Sequence, residues 1–206
     1  MLSACDPEEV AAAVASAVDD AGLDNPVMVG HSIAAVIASV YAATYPTRGV
    51  VNVDQPLDTS FIRLLQANRE VITGPGFPQL WPQILASMRI DVLPETAQRL
   101  LSTELPRQEV VLAYWRQGLE LPPAGMDARV TEGLAALRHQ QIPYLIIAGH
   151  HWDEAQTRRL RDALPQATIS VVPNSGHFPH LADPNRFAQL LADTGPWQGS
   201  PRATPQ

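Results

Sequence analysis

Residues 27–35 read Val-Met-Val-Gly-His-Ser-Ile-Ala-Ala. A short apolar run ends at a Gly-His-Ser triplet, and a long run of small and aliphatic residues follows. This pattern predicts a buried strand, a sharp turn that carries Ser32, and a buried helix. Small residues two places before and after the serine let the strand and helix backbones approach closely, and Gly30 and Ala34 hold those places. We therefore expect the Ser32 hydroxyl to be exposed on the turn.

Strand and helix signals alternate on both sides of this stretch. A helix is predicted from Asp6, with Pro7 at its first position and Gly22 after its end. Because strand–helix–strand order implies parallel strands with right-handed crossovers, and apolar strands imply helices on both faces, the predicted fold class is α/β, a parallel sheet flanked by helices. Further strands are predicted over 50–53, 144–148 and 168–172, and further helices over 33–45, 154–164 and 184–192.

A long helical segment separates the second and third predicted strands. Proline residues divide it into helices over 61–72, 79–88, 95–104, 108–119 and 127–140. A connection of this length is too long for a plain loop and suggests a lid. The predicted domains are an α/β core (1–56 and 140–193), a helical cap (57–139) and a disordered tail (194–206) rich in Pro, Gly, Ser and Thr.

Composition narrows the classes of partner. The 206 residues carry a formal net charge of −7, and all 14 basic residues are arginine without a cluster, which argues against nucleic acid. Cys5 is the single cysteine, so an intrachain disulfide and a cysteine-based zinc site are excluded. Neither a signal peptide nor an apolar run of about 20 residues is visible, so we expect a cytoplasmic protein without a membrane span.

The stretch from Gly30 to Ala34 resembles the nucleophile elbow G-x-S-x-G of the α/β-hydrolase superfamily, with alanine in the last place. The resemblance is to the serine-nucleophile, lid-bearing branch, in which the order along the chain is serine, acid, histidine. The segment Ser175-Gly176-His177 resembles the histidine loop of that superfamily. The resemblance therefore implies that Ser32 is the nucleophile and His177 the general base.

The triad acid has two candidates. Asp153 follows the strand 144–148 and is the acid that the resemblance favours, although it is also placed to cap the next helix together with Gln156. Asp54 directly follows the strand 50–53, which is a position that some relatives use. We expect Asp153 to orient His177, with Asp54 as the alternative.

The superfamily stabilises its oxyanion with two N–H donors, and the resemblance assigns one of them to the backbone of Ile33. The second comes from a loop after an earlier strand, but only one helix is predicted before the elbow. The chain thus resembles the superfamily without the N-terminal part of its fold. The strand 27–29 would then be an exposed apolar edge, so a homo-oligomer formed through this edge is one partner that the sequence suggests.

These residues predict a cofactor-free serine hydrolase that acts on a small-molecule ester or related acyl substrate through an acyl-enzyme. The alternative is a catalytically impaired or inactive hydrolase homologue or fragment that serves as a binding or interaction module. No metal is expected, because His150 and His151 have no further ligand at suitable spacing. Aromatic residues at helical spacing can form a plain core as well as a pocket. The predicted substrate-binding residues are His31, Phe77, Trp81, Tyr114 and Trp115.

Overall fold

A parallel four-stranded sheet in the order β1-β2-β3-β4 forms the centre of the computed structural model, which describes residues 5–193. Parallel pairing brings the carboxyl ends of the four strands to the same edge of the sheet, where ligands bind in such folds. The predicted tail, 194–206, lies outside the described residues. The strands are β1 (Val27–His31), β2 (Gly49–Val53), β3 (Tyr144–Ala148) and β4 (Ala167–Val171).

Helices cover both faces of this sheet. On one face, α2, α8 and α9 pack against β2 and β3; on the other, α11 packs against the alternate residues of the same strands. The predicted α/β fold is therefore confirmed. The helices are α1 (Pro7–Asp20), α2 (Ile33–Thr44), α3 (Ser60–Ala67), α4 (Arg69–Thr73), α5 (Phe77–Ser87), α6 (Glu95–Ser102), α7 (Gln108–Glu120), α8 (Pro123–His139), α9 (Glu154–Ala163), α10 (Pro179–Ala182) and α11 (Pro184–Asp193).

Burial explains why the two central strands read as continuous apolar runs. Every residue of β2 and β3 is buried, because each strand has a neighbour on both sides and helices above and below. β1 lies at one end of the strand order and pairs only with β2 among the described residues. Val29 on β1 is consequently 52% exposed.

The segment between β2 and β3 is helical, as the sequence predicts, and it has an apolar cluster of its own. Leu65, Ile72 and Leu119 are buried there together with partly buried aromatic residues. The helix predicted over 61–72 is divided into α3 and α4 at Asn68, and a 3-10 turn over Ile90–Val92 was not predicted. None of the helices within residues 5–193 is long and apolar enough to cross a membrane.

Candidate active site

Ser32 occupies the sharp turn between β1 and α2. Its backbone has φ 55° and ψ −130°. Residues with a side chain rarely adopt this conformation, which is found at strained turns in functional sites. The Ser32 N–H donates to the Val53 carbonyl at 3.1 Å, which ties the turn to the end of β2. A Cβ atom on Gly30 would lie 2.2 Å from the Ala34 carbonyl oxygen, so only glycine fits where strand and helix meet.

His177 lies on the loop after β4 and forms a hydrogen bond with Asp54, on the loop after β2. Nδ1 of His177 is 2.8 Å from Oδ2 of Asp54, and the two side chains are only 16% and 8% exposed. The other carboxylate oxygen, Oδ1, accepts from the Gly149 N–H at 2.7 Å. Asp54 thus has both oxygens engaged by donors from two different loops.

The electrostatic setting keeps Asp54 ionised. Burial alone would raise the pKa of this carboxyl, but the hydrogen bonds from His177 and Gly149 outweigh burial and hold the pKa below its usual value. A buried carboxylate beside Nδ1 fixes the histidine in the tautomer that carries its proton on Nδ1. Nε2 is then the basic nitrogen of His177.

Asp153, the acid that the sequence favours, has a different role. Its Oδ1 accepts from the Gln156 N–H at 2.7 Å, and the Gln156 side chain accepts from the Asp153 N–H at 3.0 Å, which closes a capping box at the start of α9. Asp153 is exposed. The predicted contact between Asp153 and His177 is therefore wrong, and the alternative, Asp54, makes that contact.

Nε2 of His177 is buried and has no hydrogen-bond partner within residues 5–193. Ser32 and Nε2 form no hydrogen bond in that part of the chain, and such contacts often tighten only when substrate is bound. The backbone of the histidine loop is itself anchored, because the His177 N–H donates to the Met88 carbonyl at 2.9 Å. The histidine loop also passes close to Gly149. Only glycine fits there, since a Cβ atom on Gly149 would lie 1.7 Å from the Gly176 carbonyl oxygen.

His31, which the sequence places beside the nucleophile, packs against the histidine loop. Its Nε2 is 2.7 Å from the His177 carbonyl oxygen, and its ring centroid is 4.7 Å from those of His177 and His180. Burial lowers the pKa of His31 to about 4, so the ring is neutral at pH 7. Because a carbonyl only accepts, Nε2 carries the proton and donates it to the loop.

Ile33 is the first residue of α2, where a backbone N–H has no partner within the helix. This donor lies next to Ser32, as the elbow pattern predicts. Ile33 also lines an apolar groove of about 390 Å³ along β1, whose other walls come from α1, α2 and the cap. Tyr114 of α7 reaches this groove, so the structure brings one predicted aromatic residue close to the nucleophile turn.

The other predicted aromatic residues pack with one another inside the cap. The ring centroids of Phe77 and Trp81 are 5.8 Å apart, and those of Trp81 and Trp115 are 6.5 Å apart. Phe77 is buried, at 2% exposure. These contacts are those of an apolar core, and they leave Tyr114 as the predicted aromatic residue that lines the groove together with Ile33.

Within residues 5–193, no three His, Cys, Asp or Glu side chains are grouped so that they could hold a metal ion. His150 and His151 are both exposed. Cys5 is a free, half-buried cysteine.

Known proteins resemble this chain in sequence and in fold. A Bacillus subtilis (strain 168) protein named as a 2-succinyl-6-hydroxy-2,4-cyclohexadiene-1-carboxylate synthase is 25% identical over 193 residues, which cover 85% of this chain and 67% of the relative. The crystal structure of E-2-(acetamidomethylene)succinate hydrolase has a TM-score of 0.64 and 18% identity, over 91% of this chain and 73% of that one.

A third similar structure is that of AqDC, described in terms of recognition and ring cleavage of the Pseudomonas quinolone signal. It has a TM-score of 0.74 at 12% identity and covers 94% of this chain and 74% of that one. At these identities the structural likeness establishes the fold alone. The model of the alpha/beta hydrolase family, however, matches residues 3–190. The chain therefore belongs to the alpha/beta hydrolase family, as the elbow and histidine loop indicate.

Proposed function

We propose that this protein is a serine hydrolase that cleaves an ester or a related acyl substrate through a covalent acyl-enzyme. The observation that carries the proposal is the buried contact between His177 and Asp54, 2.8 Å long, which leaves Nε2 without a partner in the described residues. Ser32 follows β1, the strand next to the one that Asp54 follows. The three residues thus provide a nucleophile, a base and an acid on loops at the carboxyl ends of the parallel strands.

In the proposed reaction the Ser32 oxygen attacks the acyl carbon while its proton passes to Nε2 of His177. The Asp54 carboxylate stabilises the resulting imidazolium through Nδ1–H, and the Ile33 N–H donates to the oxyanion. Collapse of the tetrahedral intermediate expels the alcohol, which takes the proton from Nε2. Water then attacks the acyl-serine and gives its proton to Nε2 of His177. Collapse of the second tetrahedral intermediate returns that proton to the Ser32 oxygen and releases the carboxylic acid.

The apolar groove along β1 suggests the class of acyl group. Its lining is aliphatic apart from Met28 and Tyr114, and it includes Ile33, the residue after the proposed nucleophile. An aliphatic or aromatic acyl group would bury apolar surface there at about 25 cal/mol per Å². We therefore propose an apolar acyl substrate in preference to a charged one.

A labelled fluorophosphonate, which reacts with activated serines, tests the proposal. We expect wild-type protein and Ser87→Ala to be labelled and Ser32→Ala to stay unlabelled; Ser87 is a matched control because it lies on an exposed part of α5. Equal labelling of wild type and Ser32→Ala would refute Ser32 as the nucleophile. Hydrolysis of p-nitrophenyl esters of increasing chain length then measures the acyl preference.

A second candidate is a binding or interaction module with impaired catalysis. It is favoured by one observation: the Ile33 N–H is the one oxyanion donor that we identify among residues 5–193. Loss of one oxyanion donor typically lowers kcat by about 10²–10³. Stoichiometric fluorophosphonate labelling without turnover of any p-nitrophenyl ester would support this candidate over the active hydrolase.

A further inference from the structure

A buried polar side chain lies two residues before Asp54. Asn52 is 0% exposed near the carboxyl end of β2, and strand neighbours such as Val50 and Ile146 belong to an apolar cluster. Its Oδ1 accepts from the Gln55 N–H at 2.9 Å, and its Nδ2 donates to the Gln55 carbonyl at 2.9 Å. The Asn52 amide therefore binds both main-chain groups of Gln55, the residue after Asp54, and closes the short loop that carries Asp54.

A chain of hydrogen bonds extends from Asn52 on β2 to α2, the helix that follows Ser32. The second Nδ2 proton of Asn52 points to the Tyr144 hydroxyl at 3.2 Å, and that hydroxyl is 2.9 Å from Oγ of Ser39 on α2. Ser39 donates its own proton to the Ala35 carbonyl at 2.7 Å. The direction of each bond follows: the amide donates to the phenol, the phenol to Ser39, and Ser39 to the first turn of α2.

The loop needs such support because Asp54 has φ 55°, a backbone conformation that costs free energy for a residue with a side chain. Asp54 is also held by its N–H, which donates to the Ile147 carbonyl at 3.0 Å. Burying an amide costs about 1–3 kcal/mol wherever its partners are missing, and an aliphatic residue would avoid that risk at Asn52. A role in placing the acid explains why an amide stands there.

We propose that Asn52 is a positioning residue, which with Tyr144 holds the Asp54 loop so that the carboxylate meets Nδ1 of His177. The effect on turnover rests on the proposed function, whereas the effect on the His177 contact does not. Loss of the amide would let the Asp54 backbone relax and lengthen the bond to His177. The imidazolium formed in the reaction would then be less stabilised, so kcat falls while KM stays unchanged.

Two variants test this. Asn52→Leu removes the amide at similar volume, and Tyr144→Phe removes a single oxygen atom and keeps the ring. Gln166→Leu is the control, because Gln166 also bridges two main-chain carbonyls, those of Leu137 and Ile142, but it lies just before β4, away from the carboxyl ends of the strands. The readouts are the proton NMR signal of His177 Nδ1–H, the Tm, and kcat and KM on a p-nitrophenyl ester.

We expect Asn52→Leu to broaden or shift the Nδ1–H signal and to lower kcat about tenfold, with a smaller change in Tyr144→Phe. Gln166→Leu lowers Tm and leaves the signal and kcat unchanged. A folded Asn52→Leu with the wild-type signal and kcat overturns the proposal, and if Asn52→Leu does not fold, the same result in Tyr144→Phe does so. If the wild type hydrolyses nothing, the NMR comparison still decides the positioning role, while Proposed function alone fails.

Discussion

Nδ1 of His177 lies 2.8 Å from Oδ2 of Asp54, although 123 positions separate the two residues in the sequence. The bond joins the loop after the fourth strand to the loop after the second and spans the third, whose following residue, Gly149, donates to the same carboxylate. The Ser32 N–H in turn donates to Val53, the residue before Asp54. The turn that carries Ser32 and the loop that carries Asp54 are therefore fixed to each other through the main chain.

This arrangement predicts that Asp54→Asn and Asp153→Ala have opposite kinds of effect. Asp54→Asn removes the charge that stabilises the imidazolium and permits the wrong histidine tautomer, so kcat should fall by up to about 10⁴-fold. Asp153→Ala removes a helix cap, which costs about 0.5–2 kcal/mol of unfolding free energy, and should leave kcat unchanged. Ester hydrolysis and urea denaturation of both variants measure the two quantities.

The opposite pattern would restore Asp153 as the acid. A full loss of turnover in Asp153→Ala with wild-type stability, or a wild-type kcat in Asp54→Asn, contradicts the contact that the structure contains. Gln156→Ala serves as the control for the helix cap, because it removes the reciprocal bond of the capping box and leaves the hydrogen bond between Asp54 and His177 in place.

Features that depend on residues close in sequence could be predicted, whereas features that depend on contacts between remote residues could not. The elbow and the strands could be predicted because their signals are local: an apolar run, a small residue and a turn. The carboxylate that contacts His177 could not, since Asp153 carries a complete local capping signal while the position of Asp54 depends on Gly149 and His177, which are remote in sequence. One local signal did exist, because Asp54 directly follows a buried strand.

The cap shows the same limit. Helical periodicity predicted its helices, but the break between α3 and α4 is formed at Asn68, whose side chain donates back to the Leu64 carbonyl at 2.9 Å. The Met88 carbonyl accepts a hydrogen bond from the His177 N–H, which joins segments almost ninety residues apart. No periodic pattern in the sequence predicts this contact. The first feature is a local side-chain hydrogen bond that leaves no periodic signal, and the second is a contact between remote segments.

Gly30→Ala should destabilise the protein severely. Its Cβ would lie 2.2 Å from the Ala34 carbonyl oxygen and 2.5 Å from the Ala35 nitrogen, and these are backbone atoms that cannot move aside without shifting α2. We expect a loss of about 4 kcal/mol or more, or insoluble protein. Gly133→Ala is the matched control in the interior of α8, where a Cβ meets nothing within 4 Å. It should raise the free energy of unfolding by about 0.5–1 kcal/mol. Near-wild-type stability of Gly30→Ala in urea denaturation would contradict the tight turn.

Because burial lowers the pKa of His31, we expect the stability of the protein to depend on pH. Its pKa falls on folding from 6.5 to about 4, so between these values the unfolded chain binds more protons than the folded chain. The free energy of unfolding therefore decreases as the pH falls through this window, by about 1.4 kcal/mol per pH unit where the slope is steepest. Burial also lowers the pKa of His180, and Asp54 with its lowered pKa adds loss of the same sign at acidic pH.

His31→Gln isolates the contribution of this one histidine, because glutamine keeps an N–H for the His177 carbonyl and does not titrate. The measurement is urea denaturation at pH 7 and pH 5 for both proteins. We expect the wild type to lose more stability than the variant between the two values. Equal losses would show that His31 is protonated as readily in the folded protein as in the unfolded chain.

The edge of β1 predicts self-association. Within residues 5–193 this strand pairs only with β2, and Val29 on it is 52% exposed beside the apolar groove. β1 carries neither a lysine nor a proline, the residues that commonly protect an edge from pairing with another chain. A second copy that added its own β1 about a two-fold axis would cover both edges at once.

Val29→Lys places a charge at the centre of that edge and should shift the protein from dimer to monomer in sedimentation velocity. We expect it to lower the free energy of unfolding by no more than about 1 kcal/mol. Leu100→Lys is the control, because Leu100 is 71% exposed on the cap helix α6 and does not line the groove. A wild-type protein that sediments as a monomer across the accessible concentrations contradicts the prediction. So does a Val29→Lys variant that remains as large as the wild type, since an interface centred on this strand cannot bury two opposed lysines without a large cost.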